Sequence, residues 1–172
     1  YNHASKNTNF IVIDSFCLFF QKWVHSLSKN DIANLIDYFE TKSTSHDYII
    51  WQGYAFEILC MANIQLYLKA RGLSAGVKSI GYWDYVSNDA SQKGAQIDIL
   101  IEYIGNTYDI VECKYYNDEF VIDKDYASNL QNKKEKFIIN AIKNKKYDLK
   151  MIMLTSYGTK INQYYNQIPI DR

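Results

Sequence analysis

Between Gly94 and Tyr116 the chain reads GAQIDILIEYIGNTYDIVECKYY, a pattern that fits a β-hairpin and little else. From Gln96 to Ile104 the residues alternate, with Ile97, Ile99 and Ile101 on one face and Asp98, Leu100 and Glu102 on the other, the period of two of a strand. Gly105-Asn106-Thr107 supplies residues that accept the positive φ of a tight turn, and Tyr108 to Tyr115 returns rich in β-formers. On the return Ile110, Glu112 and Lys114 share a face, while Val111 and Cys113 point the other way. A loop centred on Gly105 sets Asp98 directly across from Glu112, where opposed Cβ atoms stand ~4.5–5.5 Å apart. The hairpin therefore predicts two carboxylates and a lysine in one place.

Two carboxylates that close repel each other, and one pKa rises unless something sits between them. A divalent cation resolves the conflict. Mg²⁺ or Mn²⁺ takes carboxylate oxygens and waters and leaves positions for phosphate oxygens. Lys114, one pleat further along the same face, is placed to orient or deprotonate an attacking water, or to stabilise charge developing on a phosphate. The pattern points to metal-assisted phosphodiester hydrolysis. The bland alternative is an edge hairpin whose solvated face carries Asp, Glu and Lys.

The 172 residues suffice for one domain with a core and a small appendage. Lys+Arg and Asp+Glu are both 19, so the chain has no overall basic footprint for nucleic acid, and contact with DNA needs a local patch. An apolar content of 48% with a single proline argues for a folded, element-rich chain. Cys17, Cys60 and Cys113 lie far apart in apolar or strand segments and are expected to be buried reduced thiols of a cytoplasmic protein. The apolar run Phe16 to Phe20 is too short to span a membrane and lacks the pattern of a secretory signal. With no initiating methionine, the sequence reads as a fragment.

Along the chain, Phe10 to Ile13 predicts a short strand or extended entry, and Asp14 or Ser15 caps a helix to about Leu27 with Phe16, Phe19, Phe20 and Trp23 as its apolar stripe. Asp31 opens a second helix, and the polar TKSTSH from Thr41 to His46 reads as a linker and domain boundary. One long helix is expected from Asp47 to Arg71, closed by Gly72. Glu57 lies in its apolar middle, where a buried carboxylate needs a metal, a salt bridge or partial exposure. Val77 to Val86 predicts the strand before the hairpin, and Lys93 and Gln96 flank the carboxylates. Asp123 or Asp125 caps a helix to about Lys143, and its lysines, Lys133 and Lys134 among them, offer either phosphate contacts or an ordinary solvated face. Lys150 to Thr155 predicts a buried strand beside the one carrying Glu112.

Asp98 followed by Glu112-Cys113-Lys114 resembles the D…ExK signature of the PD-(D/E)XK nuclease superfamily, with Ile97 where the motif's name has proline. Gly53-Tyr54-Ala55-Phe56-Glu57 resembles the GxxFE pattern on the first core helix of many such nucleases, whose glutamate approaches the metal. The resemblance implies an α/β, restriction-endonuclease-like core (αβββαβ, a mixed central sheet flanked by helices) over residues 47–172, after a helical segment over 1–46. It implies Asp98, Glu112 and Glu57 as catalytic ligands of Mg²⁺ or Mn²⁺ and Lys114 as the catalytic lysine. Lys93, Gln96, Gln131, Lys133 and Lys134 become candidates for substrate contact.

The order of segments is also similar, over nearly the whole chain, to the C-terminal region of archaeal and bacterial ATPases that carry the DUF234 domain. There FIVIDSFCLFFQKWV follows a winged helix, and WQGYAFE, GYWDY, QIDILI…ECKY and YNDEFVIDKDYASNLQNKKEKF come in turn. A P-loop ATPase module precedes this region in such proteins, and no GxxxxGK[ST] occurs here. The resemblance thus implies a Mg²⁺-dependent nuclease acting on DNA, partnered by an ATPase module that these residues do not supply, with no membrane role. The alternatives are a non-catalytic interaction or nucleic-acid-docking module and a degenerate remnant. One site cleaves one strand, so cutting both calls for a homodimer or two events.

Overall fold

The computed structural model describes residues 11–89, 92–143, 146–167 and 170–171. The chain divides into two compact units, Tyr1–Ala62 and Asn63–Arg172. The division falls between Ala62 and Asn63 rather than in the polar stretch at 41–46.

In the first unit, Asp14 caps α1 (Ser15–Phe19), its carboxylate accepting the Cys17 N–H at 2.7 Å, and the helix continues as a π-helical turn over Phe20–Val24. Ser28, not Asp31, caps α2 (Lys29–Ala33), and Asp31 closes the capping box by accepting the Ser28 N–H at 3.0 Å. Asn34 leaves helical geometry, and α3 (Leu35–Ser43) follows. The expected linker is instead a helix end. The hydroxyls of Ser43, Thr44 and Ser45 donate to the carbonyls of Glu40, Thr41 and Lys42, which lets polar residues close α3 just before α4 (His46–Ala62) begins. Stacked and edge-on rings of Phe19, Trp23, Phe39, Tyr48 and Trp51, 5.4–5.9 Å apart, hold these helices together. Cys17 is exposed, because no residue of the five-residue α1 is buried, and Cys60 is half-buried; only Cys113 has the buried setting expected of all three. Phe10 lies outside the described residues, and Ile11 to Ile13 are exposed and irregular.

The single helix expected over 47–71 is two. Asn63, at φ −110 and ψ 16, separates α4 from α5 (Ile64–Ala70), consistent with an amide side chain that competes with the helical backbone. Gly72 ends α5 as expected.

The second unit is an α/β sheet of four principal strands flanked by helices. β1 (Val77–Tyr85), β2 (Ala95–Tyr103) and β3 (Thr107–Lys114) form an antiparallel meander, and β4 (Asp148–Thr155) lies parallel to β3 after a crossover through α6 (Lys124–Phe137). A π-helical turn, Ile138–Ile142, extends α6; α7 (Gln163–Gln167) and a two-residue β5 (Ile170–Asp171) on the far side of β4 complete the unit. Gly105 (φ 85) and Asn106 (φ 59) make the hairpin turn, which pairs Tyr103 with Thr107 and Ile99 with Val111.

β3 is buried on both faces, as expected of a strand between two others with helices above and below. Leu100, Tyr108, Ile110 and Met151 pack with Leu130 and Phe137 of α6. On the other face the carboxylate of Asp109, 1% exposed, accepts hydrogen bonds from Tyr103 at 2.7 Å and from Tyr67 of α5 at 2.9 Å. This cluster fastens α5 to the sheet, and burial together with Asp109 pushes the Tyr103 hydroxyl well above its usual pKa. Tyr103→Phe leaves that buried carboxylate one donor short and is expected to cost about 1–3 kcal/mol in urea denaturation. An unchanged midpoint would mean that the hydrogen bond contributes nothing net. Among the described residues, no helix is long and apolar enough to cross a membrane.

Candidate active site

The site grows from an irregularity in β2. Between the pairs Gly81↔Leu100 and Trp83↔Ile97, β1 advances two residues and β2 three, so β2 bulges at Asp98-Ile99. The β2–β3 ladder ends at Ile99↔Val111, one step before Asp98 and Glu112 would pair. There the Cys113 N–H donates to the Asp98 carboxylate at 2.9 Å. A side chain has replaced the ladder, and that fixes Asp98 beside Glu112.

Glu112 is fully buried, and its two oxygens differ. Oε2 accepts from the Lys133 ammonium of α6 at 2.5 Å, whereas Oε1 is buried without a hydrogen-bond partner. Beside it the Tyr126 hydroxyl, also from α6, is buried and equally without a partner of good geometry. Burial first, and the charge of Asp98 second, push the Glu112 carboxyl up to about 7, against the opposing pull of Lys133 and Lys114. Burial, Glu112 and Asp98 likewise push the Tyr126 hydroxyl upward. Lys114 is half-buried with its ammonium 5.4 Å from the centre of the Tyr126 ring.

β2 and β3 thus bring together Asp98, Glu112 and Lys114, and α6 adds Lys133. Sequence reasoning put Lys133 on a basic face toward substrate; its side chain is 11% exposed and its charge is engaged with Glu112. Gln131 is exposed and donates to Glu135 at 2.8 Å. Lys134 is half-buried, and Gln96 is exposed at the start of β2, paired with Asp84 of β1. Lys93 is exposed and lines a polar cleft of about 940 Å³ that also reaches Tyr126, Asn129, Asn132 and Lys136 of α6. Hydrogen bonds from Lys136 to Gln92 and from Asn132 to the Gly94 carbonyl hold the cleft's two walls together. A Cβ at Gly94 would come within 2.8 Å of the Tyr85 carbonyl, so only glycine passes there. Glu57 is half-buried in α4 and belongs to the first unit; the cluster just described is built by the second.

The sequence concealed Tyr126 and, of Lys133, the inward pairing with Glu112. The available signal was spacing: 126, 130, 133 and 137 repeat at four, three and four, so Lys133 shares the inward face of α6 with the buried Leu130 and Phe137.

The donor set suits a hard cation. Mg²⁺ is commonly held by one or two carboxylates with water and substrate oxygens completing the shell. Asp98 with the orphaned Oε1 of Glu112 fits that description, although among the described residues no group of three or more His, Cys, Asp or Glu converges. No protein-family model, curated protein or solved structure matches the chain.

Proposed function

We propose that this chain is a restriction-endonuclease-like, Mg²⁺- or Mn²⁺-dependent nuclease domain that hydrolyses DNA phosphodiester bonds and works beside a P-loop ATPase module. The observation that carries the reading is the juxtaposition at the β2 bulge: a carboxylate fixed by a backbone N–H, a second one buried with an unsatisfied oxygen, and a lysine on the same strand. The order helix, three-stranded meander, helix, parallel strand supports it, being the order that the D…ExK resemblance implies. The link to an ATPase rests on sequence likeness alone.

Asp98 and Glu112 would hold the ion. When bound, a divalent cation supplies an activated water and neutralises charge on the phosphate. Lys114, steadied by the Tyr126 ring, orients the attacking water or stabilises the charge that develops on the phosphate. Lys93 lines a neighbouring cleft that shares only Tyr126 with this site.

One observation favours the rival reading of a non-catalytic module or degenerate remnant. The Lys133 ammonium already neutralises Glu112, as a structural salt bridge would. Isothermal titration of Mn²⁺ into the wild type and Asp98→Ala, with plasmid nicking on the same samples, decides between them. The nuclease reading expects binding and nicking that both vanish with Asp98. A well-folded wild type that neither binds nor nicks would leave the non-catalytic reading standing.

A further inference from the structure

We propose that Lys133 is a displaceable counter-cation, which holds Glu112 while no metal is bound and must withdraw before a divalent ion can use both oxygens of that carboxylate. The inference rests on the metal-site reading above and deepens it.

Three features of the pair carry the argument. The Lys133 ammonium sits 2.5 Å from Oε2 of a glutamate with no exposure of its own, so it occupies one of the coordination positions the carboxylate has to offer. The other oxygen, Oε1, is buried and unpaired, so the lysine satisfies the site only by half. Finally, the Lys133 side chain keeps 11% of its surface exposed, whereas Glu112 keeps none; of the two partners, the lysine has the route outward. An ammonium and a divalent ion on the same buried carboxylate repel each other strongly at low dielectric. Metal binding therefore expels the lysine, whose flexible four-carbon stem allows the ammonium to swing away without moving α6. Once displaced, the ammonium stands at the edge of the site, where it can meet a phosphate oxygen. This would restore to Lys133 the substrate contact expected from the sequence, but only after metal has bound.

The test is Mn²⁺ titration at about pH 8.5, above the range in which Glu112 takes up a proton. Lys133→Met is expected to bind Mn²⁺ about tenfold more tightly than the wild type, since the competitor is gone, and Lys133→Arg no more tightly. Unchanged or weaker binding by Lys133→Met, with Asp98→Ala still abolishing binding, overturns the counter-cation and leaves the metal site intact. No binding by either the wild type or Lys133→Met overturns both. Should the methionine variant not fold, the wild type alone decides. Labelling its amines with acetic anhydride and reading Lys133 by peptide mass spectrometry should show several-fold more modification with saturating Mn²⁺ than without. Labelling that is the same in both states rules out displacement.

Discussion

Lys114→Ala is expected to bind Mn²⁺ within about twofold of the wild type while nicking plasmid about a thousandfold more slowly, the scale seen when one group stabilising transition-state charge is removed. The separation of the two readouts follows from where Lys114 sits. It is no ligand: its ammonium lies over the Tyr126 ring, while Glu112 is served by Lys133 and the Asp98 carboxylate by the Cys113 N–H. Its loss should scarcely unfold the protein, because a half-exposed cation–π contact contributes only about 0.5–1 kcal/mol. A collapse of nicking therefore reports chemistry. Retained nicking would remove Lys114 from the mechanism and leave Lys133 as the lysine to examine. Loss of both binding and nicking would instead mean that Lys114 shapes the carboxylate pair electrostatically, in keeping with its downward pull on Glu112.

Much of this site was legible because a hairpin is governed by local rules. Alternation assigned the faces up to the bulge, and the Gly105-Asn106 turn fixed the register; beyond the bulge the phase shifts, so Ile97, expected on the face of Ile99 and Ile101, packs instead with Leu100 and Trp83. The pairs Ile99↔Val111 to Tyr103↔Thr107 lie on the register that puts Asp98 across from Glu112. The strand expected beside Glu112 is there too, with Glu112 paired to Met153. What escaped depends on tertiary context. The bulge at Asp98-Ile99 exists only relative to β1, which no local pattern in β2 reveals. Glu102, on the same nominal face as Asp98, is taken by Lys78 at 2.6 Å and Ser79 at 3.2 Å and has no part in the cluster. The inward role of Lys133 was hidden by composition: among the many lysines of α6 it looks like any other candidate for a phosphate, and only its helical phase with Leu130 and Phe137 sets it apart. Likewise the break at Asn63 interrupts a stretch apolar enough to read as one helix, so the boundary between the two units went unseen.

Glu112→Gln is expected to change how stability depends on pH. In the wild type the folded-state carboxyl, pushed from 4.5 to about 7 by burial and by Asp98, releases its proton less readily than in the unfolded chain. The sign follows: the stabilisation is fully present below about pH 4.5 and is lost as pH rises through about 7. At ~1.36 kcal/mol per pH unit this amounts to about 3 kcal/mol between those limits. Glutamine stays neutral throughout and lacks that dependence. The loss of Lys133's partner displaces the variant's whole curve, while Glu102, whose hydrogen bonds to Lys78 and Ser79 outweigh burial and hold its pKa low, titrates alike in both proteins and cancels. Urea denaturation of both proteins from about pH 4 to pH 8 should therefore show the wild type losing about 3 kcal/mol relative to the variant across that range. A difference flat in pH would mean that Lys133 keeps Glu112 ionised throughout and that its buried charge is fully compensated. If the slope is present, Mn²⁺ should recover the lost stability at pH 8 in the wild type and leave Glu112→Gln unmoved, because a ligand that binds only the folded state stabilises it. Such a slope, together with its recovery by Mn²⁺, would support the cation-site reading over the non-catalytic one, because a carboxylate held only by Lys133 as a structural ion pair would give neither.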